Sequence, residues 1–152
     1  MYGIIATWRM ALEGISKADS MLKNNESAAD SIEEAIKAVE DFEYYKSVGY
    51  GGLPNEEMEV ELDAAFMDGD TLEFGCVGGV KDFANPVSIA RSLMHYDANN
   101  FLVGQGAEKY ASRHGFERKT MLTDRAKIHY HNRTKEITNT ELKPYSGHDT
   151  VG

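Results

Sequence analysis

His148-Asp149-Thr150-Val151-Gly152 stands at the C-terminal end of the 152-residue sequence and holds the side chains with the most chemical promise. A threonine hydroxyl is a weak nucleophile unless a base sits beside it. One economical arrangement makes the threonine the first residue of a chain. Its own α-amino group, with an ordinary pKa of roughly 8, is then a base within reach of Oγ. Reaching that state requires cleavage of the bond before Thr150. Asp149 can supply a carboxylate for the proton transfers, and Gly147 and Gly152 leave room for a tight, strained turn. By themselves these five residues are common types, and reading His148, Asp149 and Thr150 as a catalytic triad is a false lead. The plain alternative is that they are simply a ragged end with no chemistry.

Other candidates are weaker. Asp63 and Asp68 flank apolar strand residues, where inward carboxylates could do acid–base work. Asp68 precedes Gly69 and is expected in a turn on structural grounds alone; Asp63 is harder to dismiss, but one carboxylate is not a site. His95, His114, His129 and His131 lack the spacing of a zinc site and read as surface histidines. Gly104-x-Gly106 has Lys109 where a dinucleotide loop needs its third glycine, so it reads as a strand-to-helix turn. Asn25-Glu26-Ser27 and Asn132-Arg133-Thr134 match the glycosylation acceptor pattern by chance, there being no apparent secretory signal.

The elements that must position these residues follow from periodicity. Tyr2 to Thr7 is short, apolar and partly β-branched, and predicts a buried strand. A helix is expected from about Arg9 to Leu22, burying Ala11, Ile15, Ala18 and Leu22. Asn24-Asn25 breaks it, and Ser27 caps a second helix reaching roughly Tyr44, with Glu40 on its polar side. Residues 47–55 form a loop with glycines at positive φ. Val60, Leu62, Ala64 and Phe66 alternate along a strand, Asp68-Gly69-Asp70 turns it, and the return strand sets Leu72, Phe74, Cys76 and Val80 on one face. Gly75, Gly78 and Gly79 suit close approach by another backbone. Asn85-Pro86 opens a helix to about His95. Phe101–Val103 is a short strand, a helix follows to His114-Gly115, and another is expected from Arg118 to Arg133. The polar stretch 134–147 reads as a flexible linker.

The class is α+β, with few strands for so many alanine-faced helices, so the chain reads as part of a larger sheet. No apolar stretch is long enough to span a membrane. The single Cys76 excludes an internal disulfide framework and, with no signal-like start, the expected setting is reducing and cytoplasmic. The formal charge is −9, yet residues 109–135 hold eight basic and two acidic side chains. Nucleic acid is the sharp reading of Lys109, Arg113, Arg118, Lys119, Arg125, Lys127, Arg133 and Lys135. No aromatic stacking pattern accompanies them, so a solvated face drawn to acidic parts of the same or a partner chain is preferred, with no nucleic acid and no membrane as partners.

Several segments together carry a resemblance: Ser47-Val-Gly-Tyr-Gly-Gly-Leu-Pro-Asn55, Leu62-Asp-Ala64, Met67-Asp-Gly69, Asn85-Pro-Val-Ser-Ile-Ala-Arg91, Leu102-Val-Gly-Gln-Gly-Ala107 and His148-Asp-Thr-Val-Gly152. In order and spacing, from Thr7-Trp8 to the last residue, they resemble the glycosylasparaginase family of N-terminal nucleophile hydrolases. The related asparaginase and isoaspartyl peptidase branch shares some of them, while Gly-Tyr-Gly-Gly and His-Asp-Thr favour the first branch. The resemblance implies the N-terminal half of an αββα sandwich, with residues 1–149 as an α portion and 150–152 as the start of a β portion.

It further implies that Thr150 attacks the Asp149 carbonyl, that Asp149 is the base of that step, and that His148 constrains the scissile turn. The freed Thr150 then attacks the side-chain amide of a glycosylated asparagine. Trp8 matches the family's Thr-Trp position and forms an apolar wall of the cleft. Met10 stands where relatives often carry an aromatic, which keeps asparagine and β-aspartyl peptides open as substrates. The implied partners are the β portion of the same precursor and a small amide, in a homodimer of αβ units, with no cofactor and no metal. The remaining substrate and oxyanion groups belong to the later half, so this stretch alone is expected to be inactive. The alternatives are an isoaspartyl peptidase/L-asparaginase, or a non-catalytic half-subunit acting only by association.

Overall fold

The computed structural model describes residues 1–139. A 3₁₀ turn, Arg9–Ala11, leads into α1 (Leu12–Lys23), followed by α2 (Ala28–Glu40), β1 (Glu61–Met67), β2 (Phe74–Lys81), α3 (Pro86–Leu93), β3 (Phe101–Val103), α4 (Gly104–Arg113) and α5 (Asp124–Asn139). The class is α+β, as expected.

Ala18 of α1 is buried, as is Ala11 at the end of the 3₁₀ turn before it. It lies so close to α2 that a Cβ on Gly14 would sit 2.3 Å from the Ala35 carbonyl oxygen. Ser27 caps α2 as its sequence position demands: Oγ accepts from the Asp30 N–H at 3.0 Å. Ser27→Ala is therefore expected to cost about 1 kcal/mol, read as a lowered urea midpoint with unchanged slope.

α2 ends at Glu40, four residues short of the expected Tyr44. The Glu40 carbonyl is taken instead by the N–H of Tyr50, at 2.7 Å. Phe42 stacks against Tyr44 and Tyr45 in a turn of its own.

β1 and β2 form an antiparallel hairpin, and β3 joins β2 in parallel, giving the order β1-β2-β3. The helix α3 is the crossover between β2 and β3. It packs Val87, Ile89, Ala90 and Leu93 onto Phe66, Val77 and Val80 in the main core. Gly75 permits this approach, since a Cβ there would lie 2.0 Å from the Ala90 carbonyl oxygen.

The expected face of β2 is corrected. Gly75 and Val77 point toward α3, whereas Phe74 is 45% exposed, and Leu72 lies outside the strand and is exposed. Val80 is nevertheless buried, because β2 carries a bulge. Leu62 pairs with Val80 and Ala64 with Val77, so Asp63 opposes both Gly78 and Gly79, the latter at φ +60°. The extra residue flips the side-chain parity.

Three further expectations change. Tyr2–Thr7 forms no strand; Ile5 is 93% exposed, and the segment pairs with none of β1, β2 and β3. A strand requires a neighbouring ladder, and the described sheet offers it none. Arg118–Thr123 is not helical. Ala84 N–H donates to Glu117 C=O, Lys119 N–H to Asp82 C=O, and Phe83 bridges Arg118, so these backbone groups are spent before a helix can start. α5 begins only at Asp124, with Thr123 Oγ1 accepting from the Ala126 N–H, and continues to Asn139, into the polar stretch 134–147. Finally, Asn85 precedes α3 in the left-handed region (φ 48°, ψ 66°) and its side chain does not cap the helix. No described helix is long and apolar enough to cross a membrane.

Candidate active-site half

Trp8 immediately precedes the 3₁₀ turn in extended conformation, its carbonyl accepting from the Ala11 N–H at 2.9 Å. Its side chain is 40% exposed, which leaves indole surface available as a wall. His148, Asp149 and Thr150 lie outside the described residues.

The glycine-rich loop 47–55 is anchored from several sides. Gly51 N–H donates to Met121 C=O at 2.9 Å and Leu53 N–H to Lys46 C=O at 2.9 Å. Gly49 and Gly51 adopt φ of 59° and 80°, as expected of that loop, and side chains there would collide with the Glu40 and Glu43 carbonyls. Ser47 is exposed while Gly49, Gly51 and Gly52 are buried, so the loop works as a braced frame.

Beneath that frame lies a group which helical periodicity misplaces. Glu40, assigned to the polar side of α2, is only 5% exposed. Its Oε1 accepts from the Val87 N–H at 3.2 Å and its Oε2 from Asn85 Nδ2 at 3.2 Å. A carboxylate from α2 thus caps α3, the task expected of the Asn85 side chain; Asn85 Nδ2 also donates to Asp41. Burial raises the Glu40 carboxyl to about 7, with Asp41 and Glu33 adding to the rise against its hydrogen bonds. The only sequence signal is its place directly after Val39, at the border of the apolar stripe.

α2 and α3 are joined a second time by ion pairs. Arg91 contacts Asp30 at 2.7 Å and also Glu33, which accepts from Ser88 as well.

Asp63 Oδ1 accepts the N–H of Gly79 at 2.8 Å. Asp68 is the turn residue expected, accepting from the N–H groups of Asp70 and Thr71, which hold its carboxyl below the usual range. His114 stacks on Tyr110 with ring centroids 3.9 Å apart, and His129 and His131 are exposed on α5. Among the described residues no group of three or more His, Cys, Asp or Glu could hold a metal ion. Three cations of the basic stretch rest on rings of this chain: Arg118 on Phe83, Lys119 on Tyr50 and Arg125 on Tyr44.

One face of the sheet is left uncovered by the described residues. Opposite the α3 side, Met67, Phe74, Phe101 and Val103 are 45–60% exposed, around the partly exposed free Cys76. Contiguous apolar exposure of this kind marks an interaction surface.

The comparisons with known proteins give the family. The asparaginase family model matches residues 6–150, and the chain belongs to that family. It is 32% identical over 149 residues to N(4)-(β-N-acetylglucosaminyl)-L-asparaginase of Elizabethkingia miricola, covering 98% of this chain and 44% of that protein. It is 38% identical over 124 residues to isoaspartyl peptidase/L-asparaginase of Rattus norvegicus (77% and 37%). With plant-type L-asparaginase of Thermococcus kodakarensis it shares 36% over 121 residues (80% and 35%). The chain spans less than half the length of these relatives.

Proposed function

We propose that this chain is the N-terminal α portion of a self-processing amidohydrolase acting on the side-chain amide of glycosylated asparagine or asparagine. The observation that carries the reading is the match over 98% of this chain to 44% of an N(4)-(β-N-acetylglucosaminyl)-L-asparaginase. The bare sheet face supports it, because a second sheet laid on Met67, Phe74, Phe101 and Val103 would complete an αββα sandwich.

In this mechanism Thr150 Oγ attacks the Asp149 carbonyl, the acyl group passes from nitrogen to oxygen, and water hydrolyses the ester. Two chains result, one ending at Asp149 and one beginning at Thr150. Asp149 serves as base and His148 holds the turn. The new α-amino group then takes the proton from Thr150 Oγ as it attacks the substrate's side-chain carbonyl. The amide nitrogen leaves protonated, as a glycosylamine or ammonia, and a second water releases aspartate from the β-aspartyl ester. Trp8 forms an apolar wall of the cleft. The later portion supplies the oxyanion donors, so the chain alone gives no measurable turnover and its bare sheet drives association.

A second reading, isoaspartyl peptidase/L-asparaginase, is favoured by the higher identity to the rat relative over a shorter stretch. Assay of glycosylasparagine against β-aspartyl dipeptides separates the two. For the mechanism, intact mass and N-terminal sequencing of the full-length product should show the cut before Thr150. Thr150→Ala should leave one uncut chain and lower turnover at least roughly a thousandfold. Full turnover by an uncut parent would remove Thr150 from the mechanism.

A further inference from the structure

Asp63 stands on the exposed face of the sheet, between Leu62 and Ala64, which turn to the covered side, Ala64 against the main core and Leu62 against Val60 and Met121. Among the described residues its carboxylate is held by one bond: Oδ1 accepts the Gly79 N–H, which the bulge turns out of the β1–β2 ladder. Oδ2 accepts no hydrogen bond among the described residues. Gly78 forms the floor beside it. A Cβ on Gly78 would lie 3.3 Å from Val103 Cγ1, 3.6 Å from Asp63 Oδ1 and 3.9 Å from Phe101 Cε2. One carboxylate and two apolar side chains therefore converge over a glycine, making a notch between the apolar end of this face and the Glu61–Lys81 ion pair.

A carboxylate under a sandwich interface is costly unless paired. The bulge alone does not require a charge there, since any side-chain oxygen at position 63 could receive the Gly79 N–H. The notch is thus shaped for something that brings a donor to Oδ2.

We propose that Asp63 is a positioning residue for the union of the two portions. Its Oδ2 receives a hydrogen-bond donor or cationic side chain from the later part of the same polypeptide, which inserts over Gly78 and sets the register between the sheets. The occupant is that later part because the relatives have more than half their length outside the matched region. Four exposed apolar side chains on the same face, Phe101 and Val103 of them beside the notch, need covering at the same time. The inference rests on the two-portion reading above and adds the contact that aligns the portions.

The full-length protein tests it. Asp63→Asn keeps an oxygen for the Gly79 N–H and removes the charge, so the Gly79 amide should remain protected from hydrogen exchange while the thermal midpoint falls by at least about 5 °C. Asp63→Ala should lose both. An Asp63→Asn midpoint equal to or above the parent's overturns the proposal. So does loss of Gly79 protection in that variant, which would assign the carboxylate to the bulge alone. Carbodiimide footprinting of the unmutated protein is independent of whether a variant folds. Asp63 should be modified at least roughly tenfold more slowly than an exposed carboxylate such as Asp70, and equal rates overturn the proposal. None of these readouts uses turnover. A full-length protein inactive on every amide tested, yet with Asp63 protected and Asp63→Asn destabilised, would sink the catalytic reading and leave this contact standing.

Discussion

Replacing Gly75 with alanine is expected to destabilise the protein by about 3 kcal/mol or more, an unusually large effect for one added methyl group. The added carbon would sit 2.0 Å from the Ala90 carbonyl oxygen, 2.8 Å from the Met94 amide nitrogen and 2.9 Å from Leu93 Cβ. Two of those three atoms are backbone, so no rotamer change relieves the collision. α3 must lift off the sheet, and with it Val87, Ile89, Ala90 and Leu93, each no more than 1% exposed. Gly106→Ala is the matched control. It lies inside α4 with nothing within 4 Å of its would-be Cβ. Relief of unfolded-state entropy and better helix propensity should make it neutral to about 1 kcal/mol stabilising. Thermal unfolding of the two variants beside the parent checks both signs, and a Gly75→Ala midpoint within a degree or two of the parent's would mean that α3 does not dock this closely.

The second large effect is a dependence on pH opposite to that of a salt-bridged acid. Glu40 has a folded pKa raised to about 7 from 4.5, chiefly by burial. A carboxyl with a raised folded pKa binds its proton more tightly in the native state. Its contribution is fully present below 4.5 and is lost as pH rises through about 7. The stability lost through this group across that window is on the order of 3 kcal/mol. Glu40→Gln should remove the slope, leaving the variant more stable than the parent at pH 8 and no better at pH 4.5. The gain at pH 8 will fall short of the full amount. Gln can still accept from the Val87 N–H, but its amide nitrogen would meet Asn85 Nδ2, donor against donor. Urea unfolding at several pH values between 4.5 and 8 gives the measurement, and parallel curves for parent and variant would show that Glu40 does not carry the dependence.

Local chemistry made much of this legible beforehand. Ser27 as a cap, Asp68 in its turn, the hairpin, the short strand Phe101–Val103 and the positive-φ glycines at 49 and 51 are all decided within a few residues of themselves. The failures share a different cause. α2 stops at Glu40 because the distant Tyr50 takes its carbonyl, and Arg118–Thr123 stays extended because Asp82 and Ala84 hold the neighbouring backbone. Neither partner is visible from inside the segment it controls. The face of β2 was misread because alternation cannot reveal a bulge, although adjacent Gly78 and Gly79 were the trace it left. Glu40 was misread because a helical wheel assigns polar residues to solvent and cannot anticipate a donor 47 positions along the chain. Of the candidate site, Trp8 emerged from its motif and is half-exposed; the meaning of Asp63 required the register of the strand opposite.

The topology of the sheet also bears on when it can form. Every strand pairing among the described residues joins partners between Glu61 and Val103, and the parallel step from β2 to β3 is bridged by α3. A nascent chain of about 140 residues has therefore already exposed the described sheet and its covering helix outside the ribosome. Co-translational folding would then present the exposed face of Met67, Phe74, Phe101 and Val103 as a finished template, and under the two-portion reading proposed above its cover is not yet synthesised. A slow or stalled ribosome prolongs the interval in which that template can meet another copy of itself, so production at low temperature or with a holdase chaperone should raise the soluble yield of the full-length protein.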